Sequence, residues 1–417
     1  MVKQGYKQTE IGAIPNDWNC TRFGEKVKIY RGGSPRPIQY YLTGASYGIN
    51  WIKIGDVREN DKYISSTQEK IIPEGVSKSR EVHVGDFILS NSMSFGRPYI
   101  LNIDGCIHDG WLTIQEYKNI FSTEYLYYLL SSNIVYQQYI SMAAGSSVKN
   151  LNKDKVSALT VIYPDIAEQE RIAEALSDVD SMVSSLEKLI AKKKAVKQGV
   201  MQELLTAKKR LHGFSGKWVT INLSKKSKIK ARIGWQGLTT NEYLDSGYSY
   251  LVTGTDFVNG KIDWDNCHYV AKDRFDQDKN IQIQNDDILI TKDGSLGKTA
   301  LVKGLNKPAT LNSGVFVIRP IQESYDPTFV YYILSSFVFK DFLDHLSAGS
   351  TIIHLYQKDI NKFEFLIPPT IKEQRAIASI LSDMDNEIEA LEQKLAKTRQ
   401  IKQGMMQQLL TGKIRLV

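Results

Sequence analysis

Cysteine is scarce in this chain, with only three among 417 residues, at positions 20, 106 and 267. Their odd number and wide spacing argue against a disulfide framework or a cysteine zinc site and are typical of a reducing compartment. The sequence also lacks any run of about 18 apolar residues, which a membrane-spanning helix requires, and its first residues lack the apolar core of a signal peptide. We therefore expect a soluble, cytoplasmic protein without a membrane partner.

Complete motifs of nucleotide-binding and methyl-transferring enzymes are also missing. Residues 326–329 lack the second proline of a methyltransferase motif. The segment Gly294–Thr299 resembles a phosphate-binding loop, but Lys292 stands where Walker spacing requires glycine. The six histidines contain no i, i+4 pair that would indicate a metal site. Asp109 with Glu116–Lys118 matches half of a nuclease motif, yet such triplets arise by chance in a chain of this length. We expect no catalytic site, metal or cofactor in this chain.

An internal repeat dominates the sequence. Residues 164–211 recur at 369–416 without a gap, and about half of the aligned residues are identical. A repeat of this kind determines the architecture and has to be interpreted first. The length suggests two or three domains, and the net charge of +7 permits a polyanionic partner without requiring one.

Each copy of the repeat is predicted to be a long helix. Each follows a proline and opens on a capping box, at 165–168 and 370–373. Apolar residues then recur at coiled-coil spacing, and we expect them to pair the two helices. These seam residues are Ile172, Leu176, Val179, Val183, Leu186 and Ile190 in the first copy and Ile377, Leu381, Met384, Ile388, Leu391 and Leu395 in the second. Gly199 and Gly404 cost about 1 kcal/mol each, and the sequence leaves open whether they permit a bend or a close approach.

Charge follows the same order along both helices, with an acidic first half and a basic second half. An antiparallel pair places acid opposite base, whereas a parallel pair places like charges opposite each other. The alternative is that both helices face solvent and only complement the helix dipole, which prefers the same polarity. We favour the antiparallel coiled coil.

Residues 1–163 are predicted to form one mixed domain. Strand-like runs at 50–54, 86–89 and 112–115 alternate with turns rich in glycine, proline and serine. A helix rich in tyrosine is predicted over Thr123–Met142, and core packing explains its tyrosines better than a stacking platform does.

Residues 212–368 repeat this plan with different loops. The segment 123–132 recurs as 328–336, and 86–89 recurs as 286–289. We therefore predict an α+β fold in which two similar mixed α/β domains are separated by two long helices in an antiparallel coiled coil, with a pseudo-two-fold internal repeat. The predicted boundaries are 1–163 for the first domain, 164–211 for the first helix, 212–368 for the second domain and 369–417 for the second helix.

Six short motifs occur in a characteristic order. They are Gln8–Trp18, Glu168-Gln169, Gln198-Gly199, Gly213–Trp218, Glu373-Gln374 and Gln403-Gly404, and Leu-Leu-Thr follows each Gln-Gly pair. In this order they resemble the specificity subunit of a type I restriction–modification system, over essentially the whole chain.

The resemblance implies a non-catalytic subunit that binds double-stranded DNA. Each domain would be a target-recognition domain that reads one half of a bipartite, asymmetric sequence. The long helices would separate the domains and dock two modification subunits, which methylate adenine with S-adenosylmethionine. A restriction subunit, the motor nuclease, would join for cleavage. S-adenosylmethionine, ATP and Mg are therefore expected on the partner subunits.

Loop residues that suit contacts to bases and phosphates are the candidate DNA ligands. They are Arg31, Ser34, Arg36, Asn91, Ser92, Arg97 and Lys149 in the first domain and Arg232, Trp235, Gln236, Thr239, Lys292, Ser295, Lys298 and Lys358 in the second. The alternative is a coiled-coil scaffold with two interaction domains that bind no DNA. The two domains share one predicted architecture but differ in their loops. This difference favours DNA recognition, because a scaffold would not need two domains with different loops.

Overall fold

The computed structural model describes residues 4–58, 61–91, 96–143, 151–346 and 354–417. They form two compact units: unit 1 comprises residues 1–187 and 393–417, and unit 2 comprises residues 188–392. Each unit holds one globular domain and a part of each long helix. Within the described residues, no helix is both long and apolar enough to cross a membrane.

The described residues of the unit 1 domain form fourteen strands and three short α-helices. The strands are β1 (Tyr6–Thr9), β2 (Gly12–Pro15), β3 (Asn19–Arg22), β4 (Lys28–Arg31), β5 (Leu42–Thr43), β6 (Ile49–Ile52), β7 (Tyr63–Ile64), β8 (Glu69–Ile71), β9 (Arg80–Val82), β10 (Phe87–Ser90), β11 (Pro98–Leu101), β12 (Gly105–Ile107), β13 (Trp111–Gln115) and β14 (Thr160–Tyr163). The helices are α1 (Thr123–Leu130), α2 (Asn133–Ala143) and α3 (Lys153–Ser157). Two five-stranded sheets have the orders β4-β13-β10-β11-β7 and β5-β8-β6-β12-β9.

Strand β10 shows why its sheet lies in the centre of the domain. Phe87 and Leu89 point into one apolar core, which also holds α1, whereas Ile88 between them points into a second core. Because side chains alternate along a strand, a continuous apolar run supplies both faces.

The predicted helix over Thr123–Met142 is in fact two helices, α1 and α2. Ser131 Oγ donates to the Tyr127 carbonyl at 2.7 Å, and Ser132 Oγ accepts from the Val135 amide at 3.4 Å. Such serine–backbone bonds compete with helical bonds and cap a new helix instead. The assignment of its tyrosines to the core is confirmed for Tyr125, Tyr128 and Tyr139, all at most 1% exposed.

Unit 2 repeats this architecture with eleven strands in its described part. They are β15 (Val219–Asn222), β16 (Ser227–Ala231), β17 (Ser249–Val252), β18 (Phe257–Val258), β19 (Lys261–Ile262), β20 (His268–Val270), β21 (Ile288–Thr291), β22 (Thr299–Leu301), β23 (Ala309–Leu311), β24 (Val315–Pro320) and β25 (Glu364–Ile367). The central sheet has the order β16-β24-β21-β22, which matches β4-β13-β10-β11 of unit 1.

The two long helices have equal lengths of 39 residues. Helix α4 spans Ile166–Leu204 and α10 spans Ile371–Leu409. The remaining helices of unit 2 are α5 (Leu223–Lys226), α6 (Lys272–Asp276), α7 (Pro327–Leu334), α8 (Phe337–Leu346) and α9 (Gln357–Ile360).

The predicted capping boxes form only in their first half. Asp165 Oδ1 accepts from the Glu168 amide at 2.8 Å, and Thr370 Oγ1 accepts from the Glu373 amide at 3.3 Å. The glutamate side chains do not return to the caps, because each is buried and pairs with an arginine. Glu168 binds Arg415 at 2.7 Å in unit 1, and Glu373 binds Arg210 at 2.8 Å in unit 2.

The helices run antiparallel within each unit, as the charge distribution predicts. In unit 1, Asp180 and Glu187 of α4 pair with Lys402 and Arg399 of α10, respectively. In unit 2, Lys193 of α4 pairs with Glu387 at 2.6 Å, and Lys197 pairs with Asp385.

All twelve seam residues are buried or half-buried. The first turns of each helix also belong to a domain core. Ile172 and Leu176 pack with Leu409 and Leu410 in the core of unit 1. Gly199 and Gly404 do not mark a close approach within the chain, since an added Cβ would meet nothing within 4 Å at either glycine.

Candidate nucleic-acid interface

Three loops meet at one end of the central sheet in each unit. In unit 1 they follow β4, follow β10 and precede β13, because β13 runs antiparallel to both neighbours. In unit 2 the corresponding loops follow β16, follow β21 and precede β24. Most of the candidate residues lie in these loops.

Asp109 joins the loops of unit 1. Its carboxylate accepts from Ser34 Oγ at 2.8 Å and from Arg36 at 3.2 Å. Its carbonyl accepts from Asn91 Nδ2 at 2.8 Å and from Arg31 Nε at 3.3 Å. The structure therefore brings four of the candidates together around one residue.

The charge at this residue is well defined. The hydrogen bond from Ser34, together with the neighbouring His108 and Arg36, lowers the pKa of Asp109 below its usual value. The carboxylate is therefore charged at neutral pH and holds the arginine-bearing loop by a charge-assisted bond.

Asn91 and Lys292 occupy equivalent main-chain positions. The Asn91 amide donates to the Gly110 carbonyl at 3.1 Å, and the Lys292 amide donates to that of Gly314 at 2.9 Å. The carbonyls of Asn91 and Lys292 accept from the amides of Leu151 and Leu355 at 2.8 and 2.9 Å, respectively. The main-chain frame is thus the same, but the side chains differ: Asn91 is 4% exposed and donates to the Asp109 carbonyl, whereas Lys292 is half-buried.

Arg97 and Lys298 form a second equivalent pair. Their carbonyls accept from the Ser90 and Thr291 amides at 3.2 and 2.9 Å, respectively. Lys298 is exposed and Arg97 is half-buried. Ser295 is exposed in the same loop as Lys298.

Arg232 and Gln236 are buried rather than presented to solvent, at 2% and 4% exposure. Arg232 Nε donates to the Leu311 carbonyl at 2.8 Å, and its Nη1 donates to the Gln236 carbonyl at 3.4 Å. Burial, and secondarily the charge of Arg274, lowers the pKa of Arg232. This arrangement favours a supporting role in the loop, and direct DNA contact by either residue stays a prediction.

The remaining candidates are less closely grouped: Thr239 and Trp235 follow β16, and Lys358 lies in α9. Thr239 is exposed and caps a short turn by donating to Glu242 Oε2 at 2.8 Å. Lys358 is exposed, and its Nζ lies 5.4 Å from the centre of the Tyr356 ring. Trp235 lies in the turn Gly234–Gln236. Ser92 and Lys149 lie outside the described residues.

Sequence reasoning missed the joining role of Asp109 and the aromatic pair beside Lys358. The His354 and Tyr356 rings are 4.5 Å apart, and Tyr356 is 54% exposed. An exposed aromatic residue in a polar loop is a signal that the sequence contains. The role of Asp109 depends on contacts across 75 and 78 residues and has no local signal.

Two enzyme motifs considered above have the wrong geometry. Asp109 and Glu116 flank opposite ends of β13, which separates them by about 20 Å at roughly 3.3 Å per residue. They do not share a nuclease site. The segment Gly294–Thr299 connects β21 to β22, whereas a Walker loop connects a strand to a helix.

A family model for the type I restriction modification DNA specificity domain matches residues 15–198 and 236–400. The chain is similar to two specificity subunits of Methanocaldococcus jannaschii. It is 26% identical to the putative type I restriction enzyme MjaX specificity subunit, covering 99% of this chain and 97% of the relative. It is 23% identical to the type I restriction enzyme MjaVIII specificity subunit, with the same coverage of both chains.

Solved structures have the same fold. A chain from work on complex assembly and conformational transition of the type I R-M system aligns with a TM-score of 0.63 and 18% identity, over 96% of this chain and 99% of that one. The type I restriction–modification S subunit from M. genitalium aligns with a TM-score of 0.58 and 15% identity, over 94% and 96% of the two chains.

Proposed function

The chain belongs to the type I restriction–modification DNA specificity family, and from that premise we propose that it is the DNA-reading, non-catalytic subunit of such a system. Its two recognition domains each read one half of a bipartite, asymmetric target in double-stranded DNA. The observation that carries the proposal is that equivalent loops of the two units carry different side chains on one main-chain frame, as at Asn91 and Lys292. The ammonium group of half-buried Lys292 suits guanine, whereas buried Asn91 donates to the Asp109 carbonyl and supports its loop.

The proposed domains are residues 1–163 and 212–368, and the proposed spacer helices are 164–211 and 369–417. The candidate DNA ligands named above divide into base readers and phosphate contacts. Lysine and arginine fix the register on the backbone, and the amides, hydroxyls and bidentate cations read base edges.

The proposed partners supply all the chemistry. Two modification subunits dock on the spacer helices and methylate adenine with S-adenosylmethionine. A restriction subunit uses ATP and Mg to cleave DNA. The complex works in the cytoplasm, where the three free cysteines remain reduced.

A domain exchange tests this function. Residues 212–368 are replaced by the matching domain of a relative, and methylated adenines are mapped in cells that also carry the modification subunit. We expect one half of the methylated motif to change and the other half to persist.

The matched control exchanges residues 1–163 instead and should change only the other half. A change of both halves by either exchange would contradict independent reading. A chain that directs no sequence-specific methylation with its modification subunit would refute the proposal itself.

A further inference from the structure

One aspartate in unit 1 joins three elements. Asp180 of α4 accepts from Tyr128 Oη of α1 at 2.8 Å through one carboxylate oxygen. Its other oxygen pairs with Lys402 Nζ of α10 at 2.5 Å. Ser177 Oγ lies 3.1 Å from the same tyrosine oxygen. The Lys402 Nζ also lies 5.7 Å from the centre of the Tyr128 ring.

The same cluster recurs in unit 2. Asp385 of α10 accepts from Tyr332 Oη of α7 at 2.8 Å and pairs with Lys197 of α4. Ser382 Oγ lies 3.2 Å from Tyr332 Oη, and Lys197 Nζ lies 5.4 Å from the Tyr332 ring centre. The helices exchange roles between the units, since α4 supplies the aspartate in unit 1 and the lysine in unit 2.

Each aspartate fixes the position of its domain along the helix pair. One oxygen holds the domain through a tyrosine and the other holds the opposite helix through a lysine. A slide of either helix by one turn moves the lysine by about 5.4 Å, beyond the reach of an ion pair. The hydroxyl is held as a donor, because burial raises the pKa of Tyr128 and of Tyr332. Bonds of this kind, between a charged group and a desolvated donor, are the stronger ones in proteins.

Burial distinguishes these clusters from ordinary surface ion pairs. The Tyr128 and Tyr332 rings are 1% and 3% exposed. The side chains of Lys402 and Asp180 are 27% and 32% exposed, whereas those of Arg399 and Glu187 are 56% and 42% exposed. The clusters are therefore less solvated than this surface pair, and they add directional contacts to the other buried bonds between domain and helix, such as those of Gln169 with Ser122 and Ile120.

We propose that Asp180 and Asp385 are positioning residues that set each recognition domain on the helix pair and thereby select the number of unread base pairs between the half-sites. The inference rests on the proposed function. The two clusters act separately, one for each domain. Loss of a cluster makes the position of its domain on the helix pair less well defined, while the candidate DNA-binding loops of that domain stay intact.

The test compares full-length variants in complex with the modification subunits. Binding is measured on DNA duplexes that carry both half-sites at the parental spacing or at one base pair more or less. The variants are Asp180→Asn and Tyr128→Phe for unit 1, and Asp385→Asn and Tyr332→Phe for unit 2. We expect discrimination between the parental spacing and its neighbours to fall about tenfold, which corresponds to about 1.4 kcal/mol. Discrimination between right and wrong half-site sequences should not change.

Asp178→Asn and Asp383→Asn are the matched controls. Both aspartates are exposed, lie two residues from the cluster aspartate of their helix, and form no ion pair with a described residue. These variants should retain the parental discrimination. A lower melting temperature of the cluster variants with undiminished spacing discrimination would assign the clusters a merely structural role and overturn the inference. A parent complex without half-site preference would instead refute the proposed function.

Discussion

In each unit, one charged residue forms several of the hydrogen bonds that order the candidate loops. In unit 1 the Asp109 carboxylate accepts from Ser34 and Arg36, and its carbonyl accepts from Arg31 and from Asn91 Nδ2. In unit 2 buried Arg232 donates to the Leu311 carbonyl at the end of β23 and to the Gln236 carbonyl. Equivalent loops are therefore ordered by an acidic residue, Asp109, in one domain and by a basic residue, Arg232, in the other. This difference is consistent with loops that carry different candidate DNA ligands.

Replacing Asp109 by alanine should weaken DNA binding without unfolding the domain. The change frees Ser34 and Arg36 and removes a charged partner that is itself 41% exposed, so its effect falls on loop order. We expect affinity for the target to fall about tenfold, equivalent to about 1.4 kcal/mol, in a binding titration of the complex. Asp154→Ala, at an exposed carboxylate without an ion pair to a described residue, should bind as the parent does. Equal affinity of both variants would contradict the joining role of Asp109.

Gly404→Ala should raise the free energy of unfolding by about 0.5–1 kcal/mol, because alanine gains helix propensity and meets no atom there. Urea unfolding measures the difference. Gly412→Ala should do the opposite, since Gly412 has φ +68° and an added Cβ would lie 2.6 Å from Pro15. A destabilised Gly404→Ala variant would show that this glycine has a conformational role within the chain.

The sequence predicts single-residue roles only where a repeat or a local rule exposes them. The repeat identifies the loops after β10 and β21 as equivalent, but aligning 86–89 with 286–289 places Asn91 opposite Thr291, and the main-chain bonds correct this by one residue to Lys292. The burial of Glu168 does not follow from the repeat, because its arginine partner lies 247 residues away. Its neighbours in the sequence predict that Glu168 completes a capping box. In the structure its side chain forms an ion pair with Arg415 instead.

At the scale of elements, the long helices are the most predictable part of the fold. Their 3.5-residue apolar period and proline starts predict a long helix in each copy of the repeat, and α4 begins at Ile166, two residues after Pro164, and ends at Leu204, before the predicted boundary at 211. The break between α1 and α2 was missed because the apolar pattern continues through it, and only serine–backbone bonds interrupt the helix. Sheet order was not predictable, since many short strands allow many pairings.

A lengthened helix pair should change the unread DNA spacer. Four residues inserted after Ala191, with a matching insertion after Lys394, add about 6 Å and turn the following segment about 40° beyond a full turn. The ion pairs Glu187–Arg399 and Lys193–Glu387 bracket both insertion points and keep their partners. One base pair adds about 3.4 Å and a similar rotation of about 34–36°, so we expect a spacer one base pair longer. Mapping methylated adenines measures it; an active variant with the parental spacer would show that something else sets the distance.

At the scale of the whole molecule, binding to DNA should depend steeply on salt, because exposed cations occur in the candidate loops. Each phosphate that the protein neutralises adds about −0.9 to the slope of log affinity against log salt. Lys298→Gln should therefore reduce the slope of the complex by about 0.9. Lys225→Gln is the matched control, since Lys225 is exposed before β16 begins, whereas the candidate loop follows its other end. Salt-independent binding would favour a scaffold that binds no DNA.

The shared frame around Asn91 and Lys292 has an evolutionary consequence. Both positions are held through their main-chain amide and carbonyl groups, which every residue except proline provides. The frame therefore tolerates other side chains at half-buried Lys292, where a substitution costs little stability while changing what the loop presents. At Asn91 a substitution also removes the buried side-chain bond to the Asp109 carbonyl. Selection can then act on recognition almost independently of folding. A protein built in this way can acquire a new target by a few point mutations, and its ancestral duplication gives it two places in which to do so.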